Sequence, residues 1–315
     1  MNCSIVIRAY NEADHLPRLF EGLARQTISD AEIILVDSGS TDATIQIAEQ
    51  HGARIVHIPS KEFTFGRSLN LGLQAATHEL VVIASAHIYP VYADWLESLL
   101  RPFEDPAVAL SYGKQRGPQT AKFSEQQIYL HWYPDVSQPH QPTAFCNNAN
   151  AAVRRSLWMQ HPYDETLTGL EDLEWSQWAK SQGHEIAYVS EAEIIHIHNE
   201  TPQGILNRYR REAMAFKKIF PEAHFSIYDF LRLTLTNILS DGWHALRQRM
   251  LLKNLVEIIW FRLMQFHGTR LGHRATSLLT PQLRETFYYA RSRVSKAENQ
   301  RDVEPLLYRD EADNC

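Results

Sequence analysis

Cysteine is scarce in this chain. Cys3, Cys146 and Cys315 are odd in number and lie far apart. That excludes a disulfide framework and any paired-cysteine metal motif, and it fits a protein kept reduced in the cytoplasm. No stretch of about 18 uncharged apolar residues occurs, so no membrane-spanning helix is expected. The start does not read as a secretory signal, because Arg8 arrives before any apolar run is long enough. Positive charge is not in excess: 31 Lys and Arg stand against 37 Asp and Glu, a net charge of −6. A general nucleic-acid binder needs a basic field, so that class is excluded. Internal repeats are absent as well. What remains is a chain of 315 residues, 44% hydrophobic, enough for one large domain and an appendage with an ordinary core.

Through the first half, short apolar runs alternate with helical patterns. Residues 3–9, 32–37, 53–58, 79–84 and 108–113 read as strands. Between them, Leu16, Leu19, Phe20 and Leu23 share one helical face, Thr41 is placed to cap a helix over 42–50, and 66–76 and 94–103 read as further helices. This alternation predicts an α/β fold with a mostly parallel sheet covered on both faces. Ligands of such sheets bind beyond the carboxyl ends of the strands, so chemistry is sought in the segments that follow them. Residues 114–145 turn irregular, polar and proline-bearing, as functional loops often do. Strand and helix signals resume over 153–197, and from about residue 201 the pattern is helical. The expected division is a sheet-bearing catalytic domain over 1–204, a helical region over 205–296 and a polar, acid-rich, disordered tail over 297–315.

The first strand runs into Arg8-Ala9-Tyr10-Asn11-Glu12 and the second into Asp37-Ser38-Gly39-Ser40-Thr41-Asp42. An acid at a strand end accepts hydrogen bonds from a ribose or a base edge, and Ser-Gly-Ser lets backbone approach a ligand. A helix cap and tight turn would use the same residues. The order IRAYNE, then VDSGSTD, resembles the opening of the inverting family 2 glycosyltransferases, whose fold is GT-A. That resemblance implies nucleotide or donor contacts from Arg8, Tyr10, Glu12, Asp37 and Ser38. The segment EFTFGRSLN over 62–70 resembles the rhamnosyltransferase-like members, which implies that Arg67 and Asn70 lie near the nucleotide. Read alone, Arg67 is equally a solvated helix residue and Asn70 a local cap.

Ser85-Ala86-His87-Ile88-Tyr89-Pro90 follows the fourth strand. The family usually places Asp-x-Asp here to hold a divalent cation on the diphosphate, and this chain departs from that pattern with His87. A neutral imidazole ligates Mn²⁺ or a similar ion and suits Mg²⁺ poorly. A protonated one would stabilise the leaving diphosphate without metal, and a plain polar loop histidine is the third reading. Whether the cofactor is a divalent cation, Mn²⁺ or Mg²⁺, is therefore open at this point. Gly113-Lys114-Gln115 is similar to the subgroup's Gly-Arg-Gln, with Lys in place of Arg. In Asn147-Asn148-Ala149-Asn150, small residues and amides suit sugar hydroxyls, and the resemblance places Asn148 and Asn150 beside the donor sugar.

Gly169-Leu170-Glu171-Asp172-Leu173-Glu174-Trp175 sets two adjacent acids at a helix start, where the dipole favours ionised carboxylates. An inverting transfer needs one carboxylate to take a proton from the attacking hydroxyl. The resemblance assigns that base to Asp172 and an orienting role to Glu171. His196 and His198 fall on one face of a strand. The resemblance implies His198 as a metal or diphosphate ligand, with His196 packed or supporting. Arg208 and Arg211, at the next helix start, are candidates for the diphosphate.

The resemblance covers about residues 3–215. Beyond it, Leu252, Leu255, Ile259, Leu263 and Phe266 recur at helical spacing among cations and aromatics that include Trp243, Trp260 and Phe261. A helix of this kind packs on the catalytic domain or lies on an anionic membrane surface. The expectation is a cytoplasmic enzyme with peripheral contact to the inner membrane. It would move a sugar from a nucleoside-diphosphate donor, of the dTDP-rhamnose or UDP-hexose class, to a glycan or lipid-linked acceptor in bacterial surface polysaccharide assembly, with no nucleic-acid partner. The rival readings are a sugar-nucleotide nucleotidyltransferase, which needs a Gly-rich basic loop after the first strand, and a non-catalytic carbohydrate-binding protein.

Overall fold

The computed structural model describes residues 2–274 and 303–308. The chain order is β1 (Cys3–Ala9), α1 (Leu16–Ala24), β2 (Glu32–Asp37), α2 (Thr44–Gln50), β3 (Arg54–His57), α3 (Phe65–Ala75), β4 (Leu80–Ser85), β5 (Ile88–Pro90) and α4 (Trp95–Leu100). There follow β6 (Val108–Arg116), α5 (Phe123–Trp132), β7 (Asn150–Arg154), α6 (Arg155–Trp158), α7 (Glu171–Ser181), β8 (Glu185–His196), α8 (Pro202–Ile219), α9 (Ile227–Arg247) and α10 (Leu251–His273).

The strands form one 8-stranded sheet in the order β3-β2-β1-β4-β7-β6-β8-β5. β1 pairs in parallel with β2 and β4, and β2 with β3, as the βα alternation requires. β7 runs antiparallel to both β4 and β6, and β5 antiparallel to β8, so the sheet is mixed. Side-chain alternation along the strands divides the core. Cys3, Ile5 and Ile7 of β1 with Val82 and Ala84 of β4 pack towards α1, α2 and α4. Val6, Val81 and Ile83 point the other way, onto Leu69, Leu73 and Trp175 of α3 and α7.

Thr41 does not cap α2. Its backbone N–H goes to Asn11 Oδ1, and Asp42 Oδ1 accepts the Thr44 N–H instead. The irregular stretch over 114–145 contains α5, whose inward face includes Ser124 and Glu125 beside Phe123 and Tyr129.

α8 and α10 cross closely because α10 offers glycines there: a Cβ on Gly268 would lie 2.3 Å from the Leu206 carbonyl, and one on Gly272 2.4 Å from that of Arg210. A buried ion pair locks α9 to α10, with Arg262 Nε 2.7 Å from Asp241 Oδ2, and Ser124 of α5 donates to the same carboxylate at 2.6 Å. The helical end shares a core with the sheet-bearing part, Phe216 and Phe266 packing with Leu173 and Ala144. Within the expected tail, Pro305 bridges to Tyr92, the Leu306 N–H donates to the Val91 carbonyl, and Tyr308 bonds Pro90, so this short apolar piece zips onto the strand edge. The remainder of 275–315 lies outside the described residues.

Candidate active site

Asp172 sits in the first turn of α7, with Leu170 at the N-cap in a left-handed conformation, φ 56°. A leucine adopts that conformation only at some cost, about 1–2 kcal/mol, and the surrounding packing fixes it there. The bend brings both acids inward: Glu171 is 5% and Asp172 8% exposed. Asp172 Oδ2 accepts the Asn148 backbone N–H at 3.0 Å and Oδ1 that of Leu173 at 2.8 Å. Glu171 Oε1 stands 3.5 Å from Arg8 Nη1. Burial, and then the neighbouring Glu171 charge, push the Asp172 carboxyl up to about 7, against the two N–H donors and Arg8. A carboxylate held near neutrality is an effective proton acceptor.

The second feature is a cluster of three imidazoles. His87 follows β4, His196 ends β8 and His198 lies two residues beyond. A ring nitrogen of each lies within 4.8 Å of the others. Each Nδ1 meets an oxygen: Glu12 Oε1 at 2.9 Å for His87, Gln115 Oε1 at 2.9 Å for His196 and Glu125 Oε1 at 2.9 Å for His198. A carboxylate or amide oxygen accepts, so at His87 and His196 Nδ1 carries the proton and Nε2 keeps a lone pair; His198 Nδ1 also meets Arg208 Nη1 at 3.1 Å, a group that only donates. His196 Nε2 is buried with no hydrogen-bond partner, and His87 Nε2 has only the Ser85 hydroxyl, at 3.1 Å. Burial pushes His196 and His198 well below the usual imidazole range, helped by His198 and His87 in the first case and Arg208 and His87 in the second. Clustered imidazoles with ring nitrogens this close together are a donor set that a borderline divalent cation takes, and each ring is held by a neighbouring oxygen. The residues therefore fit a metal such as Mn²⁺ or Zn²⁺ and fit Mg²⁺ poorly.

Asp172, His196 and His198 line the same cleft, together with Gln115, Asn147 and Arg208. Arg208 Nη2 bonds Glu125 at 3.2 Å and Glu200 at 3.0 Å, so Glu125 joins His198 to α8. Arg211, one turn on, is exposed and lies over the Phe65 ring at 4.7 Å, with Arg8 over the same ring at 5.0 Å. Phe65 was not singled out in the sequence, yet it holds two cations beside Glu171.

Other expected residues have partners of their own. Asp37 accepts the Gly39 N–H at 2.9 Å and that of Ser40 at 3.2 Å, closing the turn after β2. The Ser38 hydroxyl turns back to the Ala9 carbonyl, 3.3 Å away. Tyr10 is 56% exposed on the loop after β1. Arg67 pairs with Glu62 and Glu165. Asn70 donates to the Tyr163 carbonyl and Glu165 and accepts from Trp158 Nε1 and the Tyr163 N–H, so its amide is saturated within the protein. Asn150 likewise bonds Trp95 Nε1 and the carbonyls of Lys114 and Ala192. Both amides are engaged within the protein. The Asn148 side chain is buried beside the Tyr163 hydroxyl, next to Asp172.

A mixed sheet of eight strands flanked by helices is the fold of the GT-A sugar transferases. The chain belongs to the family described as Glycosyl transferase family 2, whose sequence profile matches residues 4–161. Among curated proteins it is 27% identical to the O-antigen chain rhamnosyltransferase RfbN of Salmonella typhimurium over 222 residues, 66% of this chain and 70% of that one. It is 29% identical to the O-antigen chain rhamnosyltransferase WbaN of Salmonella anatum over 201 residues, 60% of this chain and 64% of that one. Among solved structures, the mannosyltransferase PcManGT from Pyrobaculum calidifontis, in complex with GDP-Man and Mn²⁺, superposes with TM-score 0.59 at 16% identity, covering 85% of each chain. That last likeness is one of fold. The protein is thus a family 2 glycosyltransferase, similar in sequence to these curated rhamnosyltransferases.

Proposed function

We propose that the protein transfers a sugar, with inversion, from a nucleoside-diphosphate donor to a hydroxyl of a glycan or lipid-linked acceptor. The observation that carries this is Asp172: a buried carboxyl pushed up to about 7 on the wall of the cleft that also holds His196 and His198. The acceptor oxygen attacks the anomeric carbon as the bond to the diphosphate breaks, and Asp172 takes the acceptor proton. Glu171, next to the base in sequence, pairs with Arg8. His87, His196 and His198 would hold a divalent cation, which when bound would neutralise charge on the diphosphate. Arg211, exposed and without a carboxylate partner among the described residues, is available to the same phosphates. The curated relatives are named for rhamnosyl transfer, which favours a dTDP-rhamnose-class donor over a UDP-hexose and supports a role in surface polysaccharide assembly.

The test is release of free nucleoside diphosphate from a panel of dTDP-, UDP- and GDP-sugars, each with Mn²⁺, Zn²⁺, Mg²⁺ or a chelator. The expected result is release from one donor class, supported by Mn²⁺ or Zn²⁺, weak with Mg²⁺ and abolished by chelation. Equal activity in chelator would remove the metal from the reading, and no release from any donor would remove the donor class.

A further inference from the structure

α9 wears its apolar residues outward. Ile227, Leu231, Leu235, Leu239, Trp243 and Leu246 recur every three or four residues on its solvent side, and Leu239 is 62% and Trp243 54% exposed. The face turned to the protein instead buries Asp229, Thr234, Asn237 and Asp241 with Leu233 and Ala245. Ordinary surface helices show the opposite distribution. The ridge continues past the corner at Arg249 into α10, where Leu252 is 95% and Val256 76% exposed. A contiguous exposed patch of this kind marks a contact surface.

The charge on this surface has one sign. Between Ile227 and Ile259 the acids are Asp229, Asp241 and Glu257. Asp229 and Asp241 are 2% and 1% exposed, and Glu257 accepts the Phe123 N–H, so no acid faces outward with the leucines. Arg247, Arg249 and Lys253 are exposed. Arg247 lies over the Trp243 ring at 4.9 Å and Arg232 over Tyr228 at 5.8 Å. Aromatic rings paired with guanidinium groups, flanking a leucine ridge, suit the level of lipid headgroups. No helix among the described residues is long and apolar enough to cross a membrane. A second copy of the chain fits less well, because a two-fold contact would bring these like charges together.

We propose that α9 and the first turns of α10 lie in the plane of an anionic bilayer surface, Leu231, Leu235, Leu239, Trp243 and Leu252 entering the acyl boundary and Arg247, Arg249 and Lys253 meeting lipid phosphates. This docking is independent of the donor and of the base.

The test is co-sedimentation of the full chain with vesicles of phosphatidylcholine alone and of equal parts phosphatidylcholine and phosphatidylglycerol. Binding to the anionic vesicles is expected, weaker at high salt and weak on neutral ones. The combined variant Leu235→Ser, Leu239→Ser, Trp243→Ser is expected to lower partition more than about tenfold, with unchanged circular dichroism and donor turnover in solution. Arg247→Glu with Lys253→Glu is expected to abolish the preference for anionic lipid. Wild-type protein that stays in the supernatant with anionic vesicles would overturn the proposal. So would a dimer in solution that the serine variant converts to monomer.

Discussion

Glu12 Oε1 lies 2.9 Å from His87 Nδ1, joining the loop after β1 to the imidazole after β4. The contact holds the His87 ring in place, with the proton on Nδ1 and Nε2 left beside the Ser85 hydroxyl. Supporting acids of this kind typically change metal affinity by about 10- to 100-fold. Glu12→Ala is accordingly expected to raise the Mn²⁺ or Zn²⁺ concentration for half-maximal activity by about that factor, with activity largely restored at saturating metal. A metal titration of nucleoside-diphosphate release checks this. An unchanged midpoint would mean that Glu12 does not act through His87.

The pH dependence follows from Asp172. Its carboxyl titrates near 7, raised first by burial and then by Glu171. The protonated acid accepts no proton, so kcat/KM is expected to fall about tenfold per pH unit below that value and to level off above it. Glu171→Gln removes the neighbouring negative charge and is expected to move the acid limb to lower pH. A pH profile of wild type and variant checks both the limb and the direction of its movement.

Stability of the helical end rests on Arg262 and Asp241, whose side chains are 2% and 1% exposed. Asp241→Ala leaves a buried, unpaired guanidinium and is expected to cost about 3–5 kcal/mol. Denaturant unfolding measures it. A loss below about 1 kcal/mol would place the pair among weak surface bridges.

Much of this arrangement was legible in the sequence, for identifiable reasons. Strands β1, β2 and β4 are short apolar runs bounded by polar turns, and buried strands leave that mark. The Glu171–Asp172 pair stood out because acids at a helix start are placed by the dipole. α5 was not legible, since it turns Ser124 and Glu125 inward to meet Asp241 and His198 and so lacks an apolar period. Asn70 and Asn150 read as ligand amides because composition does not tell whom an amide bonds. The spacing of His196 and His198 put both on one face; that His196 would keep a buried, unpartnered Nε2 depends on Gln115, a residue far away in sequence. In α10 the expected stripe divides, Leu252 facing out and Phe266 buried, because periodicity locates a stripe but not what covers it.

The central claim is that Asp172 is the proton acceptor. Asp172→Asn keeps the shape of the side chain and removes its basicity. Turnover and donor-nucleotide affinity, measured on the same preparation by product release and calorimetry, test it most directly. The account predicts loss of transfer by at least about 10²-fold with nucleotide binding little changed. A variant that transfers sugar at the wild-type rate would contradict it.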